Sequence, residues 1–209
     1  MTINTAITTL FVAAIFCLAP AVEKAQAQTA TAYFSGGCFW CTEHDFEKIN
    51  GVTDVISGYM GGHVKDPSYK EVASGTTGHY EVVKVVYDRA TVSYQNLLSA
   101  FWRMHDPSDG GGSFCDRGQQ YSTAAFYGDV TQKALLEGAV AALNAANKFT
   151  RPVATKILPV SGFTPAEAYH QDYAKRNPVR YNYYRYRCGR DQFIEKTWAG
   201  DDRVYQSAQ

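Results

Sequence analysis

One junction constrains the fold of this chain more than any other feature. Thr31 to Ser35 is a short β-prone run that Gly36-Gly37 break. From Trp40 onward, apolar residues recur at helical spacing through Phe46 and Ile49, until Asn50-Gly51 stops the pattern. A strand that passes into a helix through two glycines calls for a fold in which sheet and helices interleave. Cys38 stands at the mouth of that helix, where unpaired backbone N–H groups point outward and the helix dipole favours an anion. A thiol there is expected below its free pKa of about 8.5.

The rest of the chain repeats the alternation. Val52 to Tyr59 reads as a strand, and a glycine-bounded loop from Gly61 to Gly78 is interrupted only at Tyr69 to Ala73. Tyr80 to Tyr87, YEVVKVVY, is the clearest strand in the sequence. Thr91 to Met104 predicts a helix that buries Leu97, Leu98, Phe101 and Trp102, and Asp106 to Asp116 is a loop by composition. Ser122 to Tyr127 follows as a strand, Thr131 to Phe149 as an Ala-rich helix, Val153 to Val160 as a strand and Pro165 to Tyr173 as a helix. Residues 177–209 are rich in Tyr and Arg without a clear period, which predicts a long C-terminal coil. No repeat or internal linker divides the chain, so one α/β domain of the α+β kind is expected.

Charge and composition exclude some partners. Twenty basic residues balance 20 acidic ones with no cationic run, which leaves no footprint for nucleic acid. The 209 residues suit one globular domain with a short appendage. Residues 7–22, ITTLFVAAIFCLAPAV, are apolar but short for a bilayer span, and Ala25-Gln26-Ala27 follows them. We read 1–27 as a secretory signal cut after Ala27, with an uncleaved anchor as the alternative, and 28–209 as the exported, periplasmic domain. Export would place Cys38, Cys41, Cys115 and Cys188 in an oxidising space, where thiols pair or do redox work.

Cys38-Phe39-Trp40-Cys41 has the C-x-x-C spacing of dithiol oxidoreductases. Four thiolates could also hold zinc, but structural zinc takes its ligands as two close pairs, and Cys115 and Cys188 are solitary and far apart. No metal is therefore expected. Phe39 and Trp40 beside the thiol offer an apolar wall suited to a methyl or thioether group.

Three stretches carry a resemblance: GCFWC at 37–41, PSYKEVASGTTGHYEVV at 67–83 and DRGQQY at 116–121. Together with His105-Asp106-Pro107, Tyr169 to Tyr173 and Cys188 to Asp191, they make the chain resemble the peptide-methionine (S)-S-oxide reductases, the A-type methionine sulfoxide reductases. The resemblance implies a mixed sheet with flanking helices in a two-layer sandwich on a ferredoxin-like core. It implies reduction of the S epimer of methionine sulfoxide, in proteins and free, without metal or other cofactor. Cys38 matches the nucleophile, Glu81 the acid, Tyr69 and Tyr121 the phenols that polarise the sulfoxide oxygen, and Asp116 a further polar pocket residue. Phe39 and Trp40 would hold the substrate methyl group. A sulfenic acid on Cys38 would condense with a second thiol, and the disulfide would be recycled by thioredoxin or a thioredoxin-like donor. The working unit is expected to be a monomer.

Read as residues alone, each of these has a plainer role. Glu81 on a Val-rich strand could face solvent, and Tyr69 and Tyr121 are two of 15 tyrosines. His79 and His105 read as structural hydrogen-bonders. Three thiols could resolve the sulfenic acid. Cys188, with Arg187 and Arg190 beside it to favour its thiolate, is the first choice. Cys115 adjoins Asp116. Cys41 is close, but a disulfide between helical residues three apart is sterically awkward. The family's QYR motif has lost its Arg, since Ser122 follows Tyr121. The rival activity is a general dithiol–disulfide oxidoreductase that uses Cys38 and Cys41.

Overall fold

The computed structural model describes residues 28–201. The segment read as a signal, 1–27, lies outside the described residues. The order of elements is β1 (Thr29–Ser35), α1 (Phe39–Phe46), β2 (Val52–Met60), α2 (Tyr69–Ala73), β3 (Tyr80–Asp88) and α3 (Tyr94–Arg103). A small hairpin of β4 (Gly112–Ser113) and β5 (Asp116–Arg117) leads through a 3₁₀ turn, Gln119–Tyr121, into β6 (Ala124–Tyr127), α4 (Val130–Ala145), β7 (Lys156–Pro159) and β8 (Thr164–Pro165). Three helices close the chain: α5 (Tyr173–Arg176), α6 (Pro178–Arg187) and α7 (Arg190–Trp198).

The main sheet has the order β7-β6-β1-β3-β2-β8. All neighbours are antiparallel except β6 and β7, which makes it mixed. Its centre, β6-β1-β3-β2, is built from the chain order β1-α1-β2-β3-α3-β6, the split β-α-β arrangement of ferredoxin-like folds. The helices cover one face. There Phe34 of β1 stacks on Phe46 of α1 at 5.0 Å and on Phe101 of α3 at 4.8 Å. Each such ring removed from water contributes roughly 2–3 kcal/mol. Side-chain caps fix where helices begin. Ser93 and Asp129 accept N–H groups three residues on, and Ser68 and Glu71 form a reciprocal capping box.

The period of β3 decides the fate of Glu81. Val83, Val85 and Tyr87 pack into the helix-side core, while Tyr80 and Val82 join Met60, Ala124 and Phe126 on the other face. Alternation therefore points Glu81 toward the helices, not toward solvent.

Three expectations change. Tyr69–Ala73 is a helix, nucleated by its capping box, where the sequence reads as an interrupted loop. Pro165 to Tyr173 is not helical. It enters through β8, and Asp172, at φ +52°, breaks the backbone just before α5. Within the described residues, the stretch expected as C-terminal coil is also helical: Pro178 opens α6, and Gly189, at φ +75°, separates it from α7. The pattern was hidden because α6 buries Tyr181 and Arg185 at i and i+4, so a count of aliphatic residues finds no stripe.

Candidate active site

The strand-to-helix junction is built around glycine. Gly37 lies at φ +93°, and a Cβ there would stand 2.3 Å from Cβ of Ser113, so no other residue fits. This turn delivers Cys38 as the N-cap of α1, with φ −53° and ψ 119°. Its carbonyl accepts the N–H groups of Cys41 at 3.1 Å and Thr42 at 3.3 Å. Because Cys38 is not itself helical, the Cys38 and Cys41 thiols meet across the helix mouth and share a hydrogen bond. The steric objection drawn from the sequence assumed two helical residues and does not apply.

Cys38 is 6% exposed and Cys41 1%. Burial is the main reason that the Cys38 thiol is pushed well up, reinforced by Cys41, Glu81 and Asp116. The expected lowering by the helix end is therefore overturned, because loss of water outweighs it. Cys41 goes the other way, down to about 7, through the hydrogen bond from Cys38 and the cations Arg190 and Arg185. The two thiols thus act as one acid with a single easily lost proton.

Glu81 lies directly behind the first turn of α1, where its Oε2 accepts the Phe39 N–H at 2.9 Å. It is 2% exposed, and burial raises it well above the usual carboxylate range despite that bond, with Asp116 adding to the rise. The shift favours the protonated carboxyl, the form a general acid needs. The Tyr69 and Tyr121 phenols bond to each other; burial pushes Tyr69 up to about 12 and Tyr121 in the same direction. Asp116, at the edge of the small hairpin, accepts the Tyr184 hydroxyl. Trp40 donates from Nε1 to Nδ1 of His170 at 3.0 Å and stacks on Tyr173 at 3.7 Å.

These groups surround one cavity of about 50 Å³, lined by Cys38, Phe39, Trp40, Tyr69, Glu81, Asp116, Tyr121 and Tyr184. At ~10–15 Å³ for each water-sized group, it has room for a head of three or four heavy atoms, such as a methyl sulfoxide. A larger cleft of about 500 Å³ beside Tyr87 and Tyr94 contains no thiol.

Two further residues shape the site, one unmarked by the sequence and one placed elsewhere by it. Tyr184 comes from the tail read as coil, so nothing marked it. Arg190 is buried beneath the junction, where its guanidinium donates to the Gly36 carbonyl at 3.2 Å and to the Met104 carbonyl at 2.6 Å. The sequence reading gave Arg190 to the Cys188 thiolate; the fold turns it toward Cys41. Cys188 itself is bonded to Cys115 across 73 residues, with Cα atoms 5.1 Å apart, so in this state neither presents a thiol to Cys38. Ser122, where the resemblance led us to expect Arg, accepts the Ser35 hydroxyl on its carbonyl at 2.9 Å. His79 accepts the Gly62 N–H and bonds the Val64 carbonyl, as structural histidines do. Among the described residues, no group of three or more His, Cys, Asp or Glu is placed to hold a metal.

The family model for peptide methionine sulfoxide reductase matches residues 30–202. The chain belongs to the peptide methionine sulfoxide reductase family. It is 48% identical over 193 residues to "Peptide methionine sulfoxide reductase MsrA 2" of Caulobacter vibrioides, a match that covers 91% of this chain and 97% of that one. It is 47% identical over 184 residues to "Peptide methionine sulfoxide reductase MsrA/MsrB" of Vibrio cholerae; 88% of this chain is covered, and it spans about half, 49%, of that longer protein. Among solved structures, Mxr1 from Saccharomyces cerevisiae in reduced form superposes with a TM-score of 0.65 at 33% identity, covering 72% of this chain and 86% of that one. Within this family frame, the cysteine motif, the buried acid and the paired phenols of this chain occupy a single pocket.

Proposed function

We propose that this chain reduces the S epimer of methionine sulfoxide, in proteins and free, at the Cys38 pocket. The observation that carries this reading is that a buried thiol, Cys38, and a buried carboxyl, Glu81, both stand on the walls of one small cavity. A sulfoxide sulfur is electrophilic, but its oxygen accepts electrons only as it gains a proton, so the reaction needs a nucleophile and an acid together. Cys38 passes its proton to the Cys41 thiolate and attacks sulfur, while Glu81 protonates the oxygen. Tyr69 and Tyr121 hydrogen-bond that oxygen, and Phe39 and Trp40 enclose the methyl group. The S–O bond breaks as the protonated oxygen leaves as water, and water then attacks the Cys38 sulfur and breaks its bond to the substrate sulfur, which releases methionine and leaves a sulfenic acid on Cys38.

Cys41 then attacks the sulfenic sulfur, forms the Cys38–Cys41 disulfide and releases water. Its shared hydrogen bond with Cys38 supports this choice over Cys188, the first choice from sequence, because Cys188 is already bonded to Cys115. Two electrons from thioredoxin or a thioredoxin-like dithiol protein restore both thiols. The apolar segment at 7–22 supports export, and the domain works as a monomer in this reading. A general disulfide oxidoreductase would have to offer Cys38 to protein disulfides, and its burial argues against that.

The test is mass spectrometry of Cys38→Ser and Cys41→Ser after one exposure to a methionine sulfoxide peptide. The expected result is untouched substrate with Cys38→Ser, and one methionine per enzyme with oxidised Cys38 in Cys41→Ser. Reduction by Cys38→Ser would overturn the proposal.

A further inference from the structure

Glu43 is a buried carboxylate that the reduction does not use. It is 2% exposed on α1, and its Oε1 accepts the backbone N–H of Asp172 at 3.2 Å, while the Tyr173 N–H also reaches the carboxylate. No ion pair reaches it among the described residues. The charged groups nearest it, Glu47 on its own helix and Asp172, are both anionic. Lys175 on α5 is bonded to Glu47 and Asp172, and Asp54 of β2 lines the same shallow cleft as those three. On α6, Arg185 is engaged by Asp45 and Asp191, and His170 is taken up by Trp40.

A carboxylate buried without a cation is costly, so its contacts must matter to the fold around it. They fall on Asp172, which is held in a left-handed conformation (φ +52°) that residues other than glycine adopt reluctantly. Two side chains flank that backbone. His170 accepts the Trp40 indole N–H at 3.0 Å, and the Tyr173 ring lies on Trp40 at 3.7 Å, tilted by 6°. Trp40 is a wall of the cavity.

We propose that Glu43 is a positioning residue: by holding the Asp172–Tyr173 backbone it fixes Trp40 against the cavity, and so sets substrate affinity without touching the reacting atoms. This rests on the Cys38 cavity being the sulfoxide site. Burial raises Glu43 to about 7, and opening the clamp to water would return it toward 4.5. Ionisation therefore drives opening, by up to ~300-fold between pH 4.5 and 7, after which the effect levels off.

The experiment follows amide hydrogen exchange across 166–176 in the full-length enzyme and in Glu43→Gln and Glu43→Ala, from pH 5 to 8, corrected for intrinsic exchange. In parallel, KM and kcat are measured with a methionine sulfoxide peptide and dithiothreitol. Expected are a rise in Asp172 and Tyr173 opening of at least tenfold in the wild type and a flat profile in Glu43→Gln. Glu43→Ala should raise KM at least fivefold with kcat within twofold, and Glu43→Gln should restore the wild-type KM below pH 6. Identical exchange profiles in wild type and Glu43→Gln would overturn the proposal, as would an unchanged KM in Glu43→Ala. If Glu43→Ala does not fold, the Glu43→Gln profile decides. If the enzyme reduces no sulfoxide, the functional reading fails while the exchange arm still decides whether the clamp exists.

Discussion

The Cys38–Cys41 pair lies across the first turn of α1 as two buried thiols, while Cys115 and Cys188 form a disulfide between the small hairpin and the end of α6, with Cys115 open to solvent. In the sequence Cys38 stands apart at its glycine junction, while Cys41, Cys115 and Cys188 are candidates for the same second role. The fold separates them by spacing. Three residues across a helix mouth place two sulfurs on one proton, whose release is helped by the buried Arg190. A separation of 73 residues makes a tie whose main effect is to limit the unfolded chain, worth about 4 kcal/mol by loop closure alone. On the proposed reading, one pair does the chemistry and the other holds the tail against the site.

The largest effect expected at the inner pair follows Cys38→Ser. Sulfoxide reduction should fall more than ~1000-fold, because nothing else in the cavity can attack sulfur. Next is Glu81→Gln, which keeps the Phe39 N–H bond but cannot give up a proton as an acid does. Single-turnover reduction should slow by ~100- to 10,000-fold, and stopped-flow measurement of methionine release checks it. Cys41→Ser should still reduce one equivalent, slowly at neutral pH and faster as pH rises, while steady-state turnover falls about 100-fold for want of a resolving thiol. Its pH profile sharpens the comparison. Wild-type single-turnover rates should rise through about pH 7 as the shared proton leaves, since Cys41 is lowered to that value. With Cys41 gone, burial keeps Cys38 high, and the rise should move to higher pH.

How far this contrast could be read from the residues alone depends on the residue. The Gly36-Gly37-Cys38 junction and the β3 run are local patterns, and both elements stand where their periods put them. Glu81 is instructive because parity settles it: it shares a face with Val83, Val85 and Tyr87, all core residues, but that argument needs the core face to be known first. Asp116, Tyr69 and Tyr121 reach the cavity from three separate elements and were legible only through the family resemblance. Tyr184 is not legible in the sequence, and Arg190 is legible only as a neighbour of Cys188, not as a partner of Cys41. Their helices bury Tyr181, Arg185, Arg190 and Trp198 in place of aliphatic residues, so the hydrophobic periodicity that marks a helix is missing there. The Cys38 thiol was misjudged for a related reason: a helix end is visible in sequence, but the burial that outweighs it is a property of the assembled pocket.

The smallest catalytic effect is expected at the outer pair, and it separates the two roles most sharply. Cys115→Ser and Cys188→Ser should reduce a first equivalent within threefold of the wild-type rate and turn over with a dithiol reductant almost as before. Both should lose roughly 2–4 kcal/mol of stability in denaturant titrations run under oxidising conditions. The loss should vanish when wild type is titrated with its disulfide reduced, since the tie is then absent from both. A different pattern would break the contrast. If Cys188→Ser stalled after one equivalent as completely as Cys41→Ser, with thioredoxin as donor, electrons would have to pass through the outer sulfurs. The disulfide between the hairpin and α6 would then be one state of a working pair, and the Asp116–Tyr184 contact beside it would loosen each time that pair was reduced.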